Sequence, residues 1–108
     1  MLPKKNRLDK KNVDLLFKEG KFVVSPSFTL KFILNSPYSE PRISFIAPKS
    51  VAKLAVKRNL LRRHGYTALQ NHIKDFPSQF LGAFVFKKYQ DNIQEIEHEI
   101  TKILNKIN

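Results

Sequence analysis

Lys53, Lys57, Arg58, Arg62 and Arg63 are the residues of this chain whose type and spacing point most directly to chemistry. All five lie between residues 53 and 63, and no acidic residue occurs between Glu40 and Asp75 to intersperse the signs. Arginine presents a planar fork of donors that matches phosphate oxygens bidentately, and lysine adds a compact positive charge. The cluster therefore suits contact with a polyanion. A solvated charged face is the alternative, weakened here by the missing acids. The whole chain carries the same bias: 20 Lys and Arg against 9 Asp and Glu give a net charge of +11 on 108 residues. Such an excess repels itself unless a polyanion binds. Nucleic acid is the first candidate partner and an anionic membrane surface the second.

Other chemistries find little support. His64, His72 and His98 lack the i, i+4 pairing of a helical metal site, and no acidic residue completes a ligand set. No serine sits in a strained elbow. Gly20, Gly65 and Gly82 are too scattered to cradle a phosphate. The carboxylates are few, and those near the C-terminus read as the solvated face of a helix. The chain offers no catalytic residue of its own and no metal ligand. With no cysteine, disulfides and thiolate sites are excluded, and a reducing cytoplasm is the natural home. MLPKKNRLDKK lacks the apolar core of a secretory signal. No apolar run approaches the ~20 residues that span a bilayer. A soluble cytoplasmic protein with no membrane partner is expected.

The elements that must position the cluster follow from periodicity. The length fits one domain, residues 1–108, opened by a mobile basic arm over 1–7. Asp9 suits an N-cap, with Leu8 and Val13 as a hydrophobic staple and Gly20 as the stop. Val13, Leu16 and Phe17 share a face of that helix, and core packing accounts for Val13 and Phe17 readily. Phe22–Val24 is short and β-prone. Phe28–Leu34 alternates, with Phe28, Leu30, Phe32 and Leu34 on one face and Thr29, Lys31 and Ile33 on the other. The second face fits a binding surface or a solvated outer face. Arg42–Ala47 is the next strand, and the seven-residue connection 35–41 suggests an antiparallel hairpin between the two.

Val51–Ile73 reads as the basic helix. Gly82–Lys87 is apolar on both faces, the mark of a strand inside a sheet. Asp91, with Gln94 as capping-box partner, opens a last helix. Ile93, Ile96, Ile100, Ile103, Leu104 and Ile107 form its core stripe, opposite Glu95, Glu97, Glu99, Lys102 and Lys106. The order αβββαβα implies one sheet with helices packed on it, a single two-layer α+β sandwich. On a helical wheel Val51, Leu54, Leu61, Gly65, Leu69 and His72 cluster, and Arg58 and Arg62 fall in or beside that sector. A buried, unpaired arginine is costly, so the front of the segment must overhang the core or lead into the helix as a loop.

The stretch PKSVAKLAVKRNLLRR after the strand RISFIA resembles the signature of the bacterial ribonuclease P protein component. Ala55-Val56-x-Arg58-Asn59 with Arg62-Arg63 carries the likeness. Arg7-Leu8, then Val13, Phe17 and Gly20, resemble that family's opening helix and its stop, and the element order and length agree. The resemblance implies a ribosomal-protein-like fold with a left-handed βαβ crossover. It implies a protein subunit that binds a large catalytic RNA and the 5′ leader of precursor tRNA. The RNA performs the Mg²⁺-dependent endonucleolytic removal of the leader, with Mg²⁺ bound mainly by RNA. Neither DNA nor a membrane is an implied partner, and the protein is monomeric apart from the RNA. Residue by residue, Lys49, Arg58, Asn59, Arg62 and Arg63 would contact the catalytic RNA. Val13, Phe17, Thr29 and Lys31 would line the leader cleft, where bases stack while cations neutralise phosphates. The sequence departs from the family pattern at Leu60 and Tyr66, where arginines are usual, and at Val13, where an aromatic is common. Lys53 and Lys57 by charge, and Tyr66 by stacking, are candidates to compensate. A non-catalytic ribosomal or other structured-RNA binder is the alternative reading.

Overall fold

The computed structural model describes Leu8 and residues 10–107. The elements follow in the order α1 (Lys10–Glu19), β1 (Lys21–Val24), β2 (Phe28–Ile33), β3 (Arg42–Ile46), α2 (Ala55–Gln70), a 3-10 turn (Ile73–Asp75), β4 (Leu81–Phe86) and α3 (Ile93–Ile107). This is the expected αβββαβα order. The basic arm at 1–7 and the cap assigned to Asp9 lie outside the described residues.

The four strands form one sheet in the order β1-β2-β4-β3. β1 pairs with β2, and β2 with β4, antiparallel, while β3 and β4 run parallel. Because α2 joins the two parallel strands, β3-α2-β4 is a βαβ crossover. The hairpin expected between β2 and β3 does not form, since β4 lies between them. LGAFVF is apolar on both faces, and only an interior place in the sheet removes both from water. β2 ends at Ile33, leaving Leu34 exposed in the following loop rather than on the core face.

Alternation in β2 and β3 sorts the side chains to two faces. On one, Phe28, Leu30, Phe32, Ile43, Phe45, Phe84 and Phe86 join Leu61, Leu69, Ile96, Ile100 and Ile103 from α2 and α3 in the main core. Each such side chain contributes about 1.5–3 kcal/mol by leaving water. Phe45 stacks on Phe84 at 4.9 Å and meets the edge of Tyr66 at 5.3 Å. Gly65 allows this approach: a Cβ there would lie 2.6 Å from the Phe45 ring. The helix pair and the sheet thus make the two-layer body, and α1 lies on the sheet's other face. There Leu16 packs on Leu81 and Ala83, with Leu8, Ile33, Tyr38 and Ile46 around them. Gly20 ends α1 where its N–H donates to the Leu16 carbonyl at 2.8 Å. A Cβ at Gly20 would stand 2.5 Å from that oxygen.

α3 departs from expectation at two polar residues. Its N-cap is Asn92, whose Oδ1 accepts from the Glu95 N–H at 3.1 Å, one residue beyond the expected Asp91. The Asp91 carbonyl faces His64 Nδ1 of α2 at 2.8 Å instead. Glu99, expected on the solvated face, is only 6% exposed. It accepts from the Ser25 hydroxyl (2.8 Å), the Ser27 N–H (2.8 Å) and the Ser27 hydroxyl (2.6 Å), which satisfies its charge inside the fold.

Candidate nucleic-acid interface

α2 is shorter than the basic segment suggested. Leu54 is its N-cap, in extended conformation and without a side-chain cap bond, so residues 51–54 are the loop leading in. Arg58, on the first turn, donates from Nη1 to the carbonyls of Ala52 and Lys53 at 3.0 and 2.7 Å. This explains how it shares the direction of the apolar stripe. One turn before the core begins at Leu61, that direction faces loop carbonyls rather than the sheet. Arg58 therefore braces the loop with part of its guanidinium.

The rest of the cluster is open to solvent. Lys49, Lys53, Lys57, Asn59 and Arg63 are exposed, Arg62 is half-buried and hydrogen-bonds Asn59 Oδ1, and Leu54 and Val56 project among them. The first turn of α2 holds no acidic residue. Cations at the positive end of a helix dipole are disfavoured by roughly 0.3–1 kcal/mol each, and the opposite sign is stabilised there. Loop, dipole and side chains thus concentrate positive potential at one end of the molecule.

Tyr66 is not part of that surface. It is 7% exposed, its ring is wedged against Phe45, and its hydroxyl accepts from the Phe45 N–H at 3.3 Å. Phe45 lies on the edge strand β3, and the hydroxyl takes an N–H that faces away from β4. Burial leaves the ring no face for a base, so the stacking role expected for Tyr66 is replaced by a structural one.

The second surface is the sheet face that carries α1. α1 crosses it from β3, where the Leu8 N–H meets Ser44 Oγ at 3.1 Å, toward β2, and covers only part of it. Beside the helix remain Thr29, Lys31, Ser44, Ile46 and Val85, all half-buried. Phe17 is 47% exposed, because Leu16 takes the core position on α1. Lys31 Nζ stands 5.1 Å from the centre of the Phe17 ring, a cation–π distance. Val13, half-buried, lies one turn before Phe17 on the same side of α1. The structure therefore brings Phe17, Thr29 and Lys31 to one open face, with Val13 on the helix beside them. It adds two residues that sequence reasoning missed. Phe22, 66% exposed, is paired with Lys31, and the exposed Val24 with Thr29. Their only signal was the β-prone run Phe22–Val24, too short to give a face or a register.

The open sheet face reaches the α2 end at Ile46, Val85 and Thr29, which are aligned across β3, β4 and β2. β3 leaves the open face at Ile46, and residues 47–54 lead to α2, which must start at that end to return the chain to β4. Among the described residues no group of three or more His, Cys, Asp or Glu is placed to hold a metal ion. Among the same residues no helix is long and apolar enough to cross a membrane.

This combination of fold and surface can be set beside known proteins. The model of the family described as Ribonuclease P matches residues 2–108. The chain belongs to the ribonuclease P protein family. In structure it is similar to the RNase P protein from Thermotoga maritima, with a TM-score of 0.81, 20% identity, and coverage of 94% of this chain and 97% of that one. It is equally similar to a Staphylococcus aureus RNase P protein, with a TM-score of 0.81, 15% identity, and 95% of each chain covered. No curated protein matches it significantly in sequence. Membership in this family makes the chain an RNA-binding component of tRNA processing, part of an endoribonuclease assembly with an RNA subunit.

Proposed function

We propose that this chain is an accessory subunit which binds the catalytic RNA through the α2 end and the single-stranded 5′ leader of precursor tRNA through the open sheet face. The observation that carries the reading is the pairing of an acid-free cationic helix start with an apolar, aromatic face bearing a cation on one small domain. Lys49, Lys53, Lys57, Asn59, Arg62 and Arg63 supply charge and hydrogen bonds to a folded RNA backbone, and Arg58 holds their loop. Phe17 and Phe22 offer ring faces to unpaired bases, while Lys31 neutralises phosphate. Such contacts tolerate any base, as many different leaders require.

Catalysis belongs to the RNA in this reading. Mg²⁺ would be held mainly by RNA, where it would supply an activated water and charge stabilisation of the leaving oxygen. The protein works as a monomer within the particle, in the cytoplasm. A ribosomal or other structured-RNA binder would use the α2 end equally but has no use for the exposed aromatics beside α1. Affinity of the reconstituted holoenzyme for precursor and mature tRNA tests the difference. Phe17→Ala should weaken precursor binding with little change for mature tRNA or for assembly with the RNA. Base–aromatic stacking is worth about 1–3 kcal/mol, or roughly 5- to 150-fold. Equal losses for both substrates would contradict the cleft.

A further inference from the structure

We infer that Glu99 is a positioning residue for the leader-binding face, acting through the β1–β2 turn; this rests on the leader reading above. The turn Ser25-Pro26-Ser27 joins the strands that carry Phe22 and Val24 to those that carry Thr29 and Lys31. β1 is four residues long and, among the described residues, pairs along one side only, with β2. A short edge strand of this kind opens readily unless something beyond its ladder holds it.

Glu99 supplies the hold from α3, on the opposite side of the sheet from α1. One carboxylate oxygen accepts from the Ser25 hydroxyl and the Ser27 N–H, both at 2.8 Å, and the other from the Ser27 hydroxyl at 2.6 Å. Ser25, Ser27 and Glu99 are all buried. A second tie comes from the end of β4. The Lys87 N–H donates to the Ser27 carbonyl at 2.8 Å, and Lys87 Nζ to the Ser25 carbonyl at 3.1 Å. The turn is thus fixed to two elements that do not themselves belong to the hairpin. A buried carboxylate with three donors is a strong and directional fastening. Its consequence on the open face is that Phe22 stays opposite Lys31, which itself stands over Phe17. The aromatic surface is ordered before a strand arrives, so binding does not have to order it.

The test compares leader preference, meaning precursor over mature tRNA affinity, in holoenzymes built with Glu99→Ala, Glu99→Gln, Ser25→Ala/Ser27→Ala and Phe17→Ala chains. Glu99→Ala should lower the preference roughly two- to tenfold, the range for having to order one side chain on binding. Assembly with the catalytic RNA should be unchanged. Gln retains an acceptor for Ser25 and the Ser27 N–H, so Glu99→Gln should keep most of the preference. Hydrogen exchange should quicken at residues 21–24 in Glu99→Ala and stay unchanged in α2. If Glu99→Ala fails to fold, the double serine variant carries the same expectation. Wild-type leader preference in the Glu99 or serine variants, with Phe17→Ala defective, overturns the inference and leaves the leader reading standing. No effect from Phe17→Ala removes the leader reading, and the inference with it.

Discussion

Tyr66→Phe separates a structural tyrosine from one that touches RNA. The substitution keeps the ring, and with it the 5.3 Å edge contact to Phe45, but deletes the oxygen that accepts from the Phe45 N–H. That donor faces outward from the edge strand and is buried beneath α2. Leaving a buried donor unsatisfied costs about 1–3 kcal/mol. The 3.3 Å separation is long for an N–H···O bond, so the loss should fall near the lower limit, about 1 kcal/mol. For a domain of this size that lowers the melting temperature by roughly 4–8 °C. Thermal unfolding of the free protein gives the first readout, and affinity for the catalytic RNA well below the transition gives the second. The expected result is a lower melting temperature with unchanged RNA affinity. An unchanged melting temperature with weakened RNA binding would refute the reasoning and restore Tyr66 to the interface.

Two further substitutions probe the frame and the charged end. Gly65→Ala should be destabilising even though alanine favours a helix by about 1 kcal/mol. Its Cβ would meet the Phe45 ring at 2.6 Å, that ring is held by Phe84, and overpacking of this kind costs roughly 1–3 kcal/mol. Denaturant unfolding measures the sum, and a more stable variant would contradict the packing described. Arg63→Ala should leave stability within about 0.5 kcal/mol, as for an exposed substitution. It should weaken assembly with the RNA and reduce the slope of log affinity against log salt by about 1. An unchanged slope would remove Arg63 from the phosphate contacts.

The sequence showed some of this arrangement clearly and hid the rest for identifiable reasons. GAFVF had no polar face to offer water, so its interior place in the sheet was legible. RISFIA showed alternation, but alternation says nothing about which strand lies beside it, and a seven-residue loop fits a β2–β3 hairpin as well as the connection past β4 that the sheet has. Asp91 and Asn92 are both good caps, and local chemistry did not choose between them. Glu99 flanks the isoleucine stripe of α3 among other charged residues, and only a meeting with Ser25 and Ser27, more than 70 residues away in the chain, explains its burial. The charge cluster was legible as a cluster. What each member does was not: Arg58 proved to brace a loop, and Tyr66 to sit in the core. Phe17 became a surface residue once Leu16 was seen to take the core position on α1.

The most direct measurement is cleavage of a precursor tRNA, in Mg²⁺ and at low salt, by this protein alone, by its catalytic RNA alone, and by the two together. The account predicts no cleavage by the protein alone, and faster leader removal by the two together than by the RNA alone. Cleavage by the protein alone, or no stimulation of the RNA, would contradict it.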